Sequence, residues 1–530
     1  MKKIKILALS LGLLSLGACS DDFIDAEPIT TLTETNFYRT PADADKALIG
    51  CYDGLQRVWS EGISFPVASE IFSDNCFGGT GNADGFGYQA IDEFDRLRSP
   101  SDRNLFEANW RDYYRAIYRC NMLLSKLDQI EWGNNEEQRN ITESEARYLR
   151  AYLYFDMVRL WGNIPLLTAP SAENLPQSSP EEVYKVIAED LKFAADNMPA
   201  TSYTAQNPAT RGRVTKWAAE ALLGRVFLYY TGYYQKPDLA GVVSKQQALT
   251  YLEDVISNGG FGLVDDFAHL WPAASVKNYA GEDNKETVFA IKYTYTSNYD
   301  GNTDGNHWMV MLGMREHSSF PYGNGWGGGT VNPKLWNAYS DNDTRKVASI
   351  ISIADEKINF TNQSKQREYT GFYVKKYSPM VDEEGNSLAV NLGAANFMIG
   401  QFQDYVAIRY ADVLLMAAEL GSANAQAYFD TVRRRAYKDN FSAQAVSQAG
   451  LMNERRLEFA FEGIRYWDLL RQGVSTAANI IAETATVENG GTPVTKTIAA
   501  SKIIETGGLQ QIPYNQVTLS DNTLKQNTGW

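Results

Sequence analysis

Ala146-Arg147-Tyr148-Leu149-Arg150-Ala151-Tyr152 and, later in the chain, Ala218-Ala219-Glu220-Ala221-Leu222-Leu223-Gly224 set small residues beside rings and leucines at helical spacing. Small side chains let two backbones approach, so each stretch reads as a helix that packs closely on a neighbour. Paired helices of this texture point to tetratricopeptide-like hairpins. An ordinary helical core is the plainer alternative, because no strict repeat survives at a fixed period of about 34 residues.

The periodicity extends outward from these two stretches. Ala42 to Trp59 follows the cap and proline of Thr40-Pro41 and repeats apolar positions through Leu48, Cys51 and Leu55. Asn104 to Leu127 does the same through Trp110, Tyr113 and Ile117, and Thr142-Glu143-Ser144-Glu145 opens a run through Leu160. Further helices are predicted over Pro180 to Asn197, Lys216 to Tyr230, Lys245 to Ser257, Ala407 to Leu420, Ala423 to Arg435 and Leu451 to Leu470. The fold class is therefore mainly α.

Two regions break the pattern. Between about 259 and 403 the texture turns to glycine, asparagine and aromatics, with short β-prone runs at Thr287-Val288-Phe289-Ala290-Ile291 and Gly371-Phe372-Tyr373-Val374. A smaller irregular piece, Phe72 to Tyr88, interrupts the N-terminal helices. Loops held on a rigid frame carry recognition more often than packed helices do. The predicted organisation is a helical scaffold over 41–258 with a loop insertion at 72–103, a loop-rich ligand-binding excursion over 259–403, and the rest of the scaffold over 404–530.

The N-terminus has a different character. Lys2, Lys3 and Lys5 precede the apolar run Ile6 to Leu16, too short to span a bilayer, so 1–18 reads as a cleavable export signal. Leu16-Gly17-Ala18-Cys19 resembles a bacterial lipobox, with Cys19 as the acylated mature N-terminus and 19–40 as a tether. Ser20-Asp21-Asp22 resembles the signal that routes some lipoproteins to the outer face of the outer membrane. The chain carries 49 Lys+Arg against 64 Asp+Glu, a net charge of −15, which falls to −18 when the three leader lysines are removed. Such a surface repels nucleic acid and anionic lipid. Cys51, Cys76 and Cys120 lack metal-site spacing; one disulfide plus a thiol, or three buried thiols, both fit.

Five segments together resemble the RagB/SusD family of outer-membrane nutrient-binding lipoproteins: Cys19 to Phe23 with Asn36-Phe37-Tyr38; Glu145 to Leu167; Gly212 to Tyr229; Glu454 to Gly473; and Leu509 to Trp530. The resemblance implies a largely helical fold with four tetratricopeptide-like units and an irregular excursion holding the ligand. It also implies a role: a cell-surface protein that binds oligosaccharide or polysaccharide without catalysis and lies over a TonB-dependent SusC-like transporter. In the Glu454 to Gly473 block, Glu458, Glu462 and Asp468 each have an arginine nearby and read as scaffold ion pairs rather than catalytic carboxylates.

A sugar offers apolar C–H faces and a rim of hydroxyls, so its site needs flat rings beside amides, carboxylates or guanidinium groups. Trp308, Trp326, Tyr322, Tyr299 and Arg315 lie in one such stretch, with glycines around Trp326 freeing it from helical packing. Asn75, Phe77, Asn82 and Tyr88 supply the same mixture in the smaller loop, which in relatives borders the ligand. Asp300-Gly301-Asn302-Thr303-Asp304-Gly305 fits the opening of a calcium loop, but Met311 stands at the twelfth position, so an Asx-rich turn is the better reading and no cofactor is expected. Three histidines, and no nucleophile-elbow, zinc-protease or phosphate-loop motif, leave little for catalysis. A surface glycoside hydrolase, which needs only two carboxylates, is the alternative class; a binder of peptides or other nutrients is the third.

Overall fold

Thr40 opens the first long helix as a reciprocal cap: its hydroxyl accepts from the Asp43 N–H at 3.3 Å, and the Asp43 carboxylate accepts from the Thr40 N–H at 3.0 Å. The computed structural model describes residues 37–95 and 100–530. Cys19 and the leader lie outside them. The scaffold is a series of helices in which each packs against the next: Pro41–Arg57, Glu107–Lys126, Glu136–Trp161, Pro180–Asn197, Lys216–Tyr233 and Lys245–Asn258. Tyr410–Glu419 packs against Lys245–Asn258, and Ala425–Tyr437 follows it.

The two opening motifs sit where the packing is tightest. From Thr142 onward nearly every residue of Glu136–Trp161 is buried, as expected of a helix enclosed on all sides. A Cβ added at Gly224 would stand 2.7 Å from the Leu252 side chain, and one at Gly54 would stand 3.0 Å from Ala116 Cβ. Helix pairs that depend on such close approach are the tetratricopeptide-like arrangement.

The excursion is tied at both ends by one strand pair, Thr287–Ile291 antiparallel to Tyr405–Arg409. This corrects the expected helix from Ala407: the β-branched Val406 and Ile408 extend the chain to Arg409, and the helix starts at Tyr410. The expected helix from Leu451 to Leu470 is also split. Gln448–Glu458 ends, Phe461 and Gly463 take φ values of +69° and +73°, and Arg465–Leu470 resumes. The C-terminal part, expected to be helical, holds a hairpin, Glu483–Asn489 with Thr492–Ile498, turned by Gly490 and Gly491.

Ion pairs fill the centre. Glu458 meets Arg345 at 3.0 Å, Arg409 at 2.9 Å and Arg435; Glu462 meets Lys376 at 2.7 Å and Arg409 at 2.8 Å; Asp468 meets Arg455 at 2.7 Å and Arg471 at 2.9 Å. Burial pushes Glu458 upward, but the guanidinium groups of Arg435, Arg409 and Arg345 outweigh it and hold the carboxyl well below its usual range. These are the scaffold pairs the sequence implies, with most partners drawn from distant elements. Cys51, Cys76 and Cys120 are free and buried, the second of the two arrangements expected, with Cys51 and Cys120 in side-chain contact. Among the described residues no helix is long and apolar enough to cross a membrane.

Candidate functional site

The two irregular regions meet along a seam of glycines. Thr80 N–H donates to the Gly327 carbonyl at 2.6 Å, Gly329 N–H donates to the Gly78 carbonyl at 3.0 Å, and Gly79 bridges Gly328. Gly79 and Gly327 both have φ of +70°, and a Cβ at Gly79 would lie 2.4 Å from the Gly327 oxygen. Only glycine permits this approach. The seam carries Trp326 outward: its backbone N–H donates to the Val310 carbonyl at 2.9 Å, and the side chain is 39% exposed.

Arg315 stands beside it. Met314–Arg315 pairs in parallel with Asn324–Gly325, which sets Arg315 level with Gly325. The Arg315 guanidinium reaches the Asp84 carboxylate at 3.2 Å and the Trp326 carbonyl at 3.4 Å, passing over Gly81, where a Cβ would fall 2.4 Å from its terminal nitrogen. Asp84 also accepts from the Gly81 N–H at 2.8 Å, and Asn82 N–H donates to the Lys365 carbonyl at 2.7 Å, leaving the Asn82 side chain exposed. Arg367 fixes this loop from below, donating to the carbonyls of Gly85 at 2.8 Å and Asp84 at 2.7 Å while lying 4.1 Å from the centre of the exposed Phe86 ring. At the rim, the Lys365 ammonium bonded to Glu316 holds that carboxyl below its usual range. The surface thus offers one indole face with guanidinium, carboxylate and amide groups around it.

Trp326 and Arg315 are therefore brought together, with Asn82 exposed next to the Gly81 that Arg315 crosses and its amide towards Gly490, and the other expected residues are not. Trp308 is 4% exposed: its ring packs 5.2 Å from Tyr377 and 5.9 Å from Tyr405, and its N–H donates to the Tyr293 hydroxyl at 3.4 Å. Its polar sequence neighbour Asn306 is itself buried, donating to the Gln403 carbonyl, so polar company did not mean exposure. Tyr322 is buried with its hydroxyl donating to Glu356 at 2.6 Å. Asn75 is buried, donating to Glu70 at 2.9 Å and accepting from Arg456 at 3.2 Å, and Phe77 belongs to the core. Tyr88 is half-buried against that core, and burial pushes its phenol up. All five are corrected from ligand contacts to structural residues.

Tyr299 is 70% exposed but sits on a separate loop, anchored to the first helix by Gln56, whose amide donates to the Asp304 carbonyl at 2.6 Å. That loop is a set of Asx turns: Asn298 accepts from the Asp300 N–H at 2.9 Å, and Asn302 accepts from the Asp304 N–H at 2.9 Å. The oxygens a calcium ion would need are thus partly spent on the backbone, and no group of three or more His, Cys, Asp or Glu that could hold a metal occurs among the described residues. Asp84 and Phe86 lie in the same irregular piece, Phe72 to Tyr88, where nothing local in the sequence tells an exposed ring or carboxylate from a buried one. Arg367 gave no signal, because its partners are backbone carbonyls far away in sequence.

A family model described as "SusD family" matches residues 360–530, and one described as "Starch-binding associating with outer membrane" matches residues 67–228. "SusD-like protein P2" of Formosa agariphila is 26% identical over 502 residues, covering 89% of this chain and 91% of the relative. A "SusD-like protein" of Bacteroides ovatus is 24% identical over 489 residues, covering 88% and 82%. Among solved structures, a "Laminarin binding SusD-like protein" is 26% identical with a TM-score of 0.73, covering 93% of this chain and all of that one. "Surface glycan-binding protein A from Bacteroides thetaiotaomicron in complex with laminarihexaose" has the same TM-score and coverage at 21% identity, a likeness of fold. With family models matching both the helical scaffold and the C-terminal part, and relatives aligned over nearly its whole length, the chain is similar to SusD-family proteins throughout.

Proposed function

We propose that the protein is a cell-surface glycan-binding lipoprotein, which stacks a sugar ring on Trp326 and directs hydroxyls to Arg315, Asp84 and Asn82. It holds an oligosaccharide or polysaccharide, β-glucan of the laminarin type first among the probes, and delivers it to a TonB-dependent SusC-like transporter. Lipid on Cys19 tethers it to the outer membrane. The observation that carries this reading is the exposed indole held outward by a glycine seam between the two loop regions, on a fold shared with a laminarin-binding relative. An open aromatic face with polar groups beside it suits the two sides of a sugar.

The protein changes no covalent bond. Hydrolysis needs a carboxyl that keeps its proton near neutral pH beside a second carboxylate. Among the described residues five carboxyls are pushed up by burial to about 7 or 8, and each is engaged by the scaffold: Glu70 by the Gly463 N–H, Asp92 by the Gly78 N–H, Glu145 by Tyr52, Glu220 by Lys216 and Glu282 by Tyr279. The test is affinity electrophoresis and calorimetry with laminarin and laminarihexaose. Saturable binding without new reducing ends is expected; release of reducing ends, or binding to peptides and to no glycan, overturns the reading.

A further inference from the structure

Where the Pro41–Arg57 and Glu107–Lys126 helices come close, at Gly54 and Ala116, their surfaces part into a cavity of about 280 Å³. That size lies near the small end of ligand sites, about 300–1,000 Å³. Its lining is cationic. Arg111, Arg115 and Arg119 recur at four-residue spacing on the second helix, and Arg57 enters from the last turn of the first. Like charges at this spacing repel, so the face is unfavourable without anions.

The protein supplies too few. Arg119 pairs with Asp53 and donates to the Gly50 carbonyl at 2.8 Å; Arg111 meets Glu61 at 2.6 Å and Asp112 at 3.0 Å; Arg115 shares that same Asp112 at 3.1 Å. The Arg57 guanidinium has no hydrogen-bond or ion-pair partner among the described residues. Four guanidinium groups therefore face three carboxylates, in a chain whose net charge is −15. A cation at a helix C-terminus is favoured by the helix dipole, so Arg57 is tolerated there without a partner.

We propose that this cavity is an oxyanion site, taking a carboxylate or sulfate ester carried on a sugar-sized ligand. Guanidinium forks bind oxyanions through paired N–H bonds, and the surplus positive charge selects an anionic unit over a neutral one. The site is built from elements other than the Trp326 surface and is filled independently of it.

The test is calorimetry on the full-length chain in detergent with sodium glucuronate, sodium sulfate and glucose at constant ionic strength. Saturable binding of at least one anion and none of glucose is expected; glucuronate alone identifies a carboxylate, and sulfate alone a sulfate ester. Arg57→Gln weakens that binding about tenfold, the scale of one charged hydrogen bond, with unchanged melting temperature, while Trp326→Ala leaves it intact. If Arg57→Gln melts lower, Arg115→Gln makes the same comparison, since that side chain is 68% exposed with a single ion pair. Absence of saturation with both anions, or wild-type affinity in the folded arginine variant, overturns the proposal.

Discussion

Two tryptophans in one stretch separate exposure from packing. Trp326 presents its ring to solvent, whereas Trp308 is enclosed by Tyr377, Tyr405 and Tyr293. Trp326→Ala is therefore expected to weaken laminarihexaose binding several-fold, in line with about 0.5–1.5 kcal/mol for ring stacking beyond burial. Its stability should stay within about 0.5 kcal/mol of wild type. Trp308→Ala is expected to cost about 3–5 kcal/mol in denaturant unfolding, the range for emptying a large aromatic core position. Titration and urea melts on the two variants check the pair. From sequence alone the two look alike, since each has polar or glycine-rich neighbours. What distinguishes them is whether those neighbours are satisfied in the interior, and that depends on partners nearly a hundred positions away, such as Gln403 for Asn306.

Among the elements, the long helices were legible and the joints between them were not. Pro180–Asn197 matches its expected bounds because Ser179 and Glu182 form a reciprocal cap and Pro180 fills the first helical position, all local signals. The strand at Tyr405–Arg409 was hidden because its pairing partner, Thr287–Ile291, lies more than a hundred residues upstream. The Glu483–Ile498 hairpin carries a local signal in Asn489-Gly490-Gly491, set between helical runs on either side. The glycine seam is the element on which the candidate site depends. Gly79→Ala puts a methyl group 2.4 Å from the Gly327 oxygen at a φ of +70°. The left-handed backbone alone costs about 1–2 kcal/mol for a non-glycine residue. A lower melting temperature together with weaker laminarihexaose binding is expected, because the same contact places Trp326.

Over the whole molecule, buried charge ties separate helices together and sets an acid limit. Asp412 on Tyr410–Glu419 meets Arg225 on Lys216–Tyr233 and Arg455 on Gln448–Glu458. Burial would raise its carboxyl, but Arg455 and Arg225 prevail and lower it to about 2. A lowered carboxyl contributes stability that is complete above its ordinary value near 4 and is lost as pH falls towards 2. Stability measured by urea unfolding is therefore expected to decline over that interval. Asp412→Asn is expected to lose about 3–5 kcal/mol at neutral pH by stranding two buried guanidinium groups, and to show a shallower acid decline. The sequence revealed that such arginines and acids abound; their three-way meeting arises only when distant helices converge.

The seam that lifts Trp326 is closed by main-chain hydrogen bonds from Thr80 and Gly329 and by the buried Gln366 amide, which donates to the Thr80 and Gly327 carbonyls at 2.9 and 2.8 Å. Outward groups such as the indole and the Asn82 amide are consequently spared from holding the architecture upright. If Trp326 stacks a sugar as proposed, exchanging these groups should retune which carbohydrate is grasped while the framework persists.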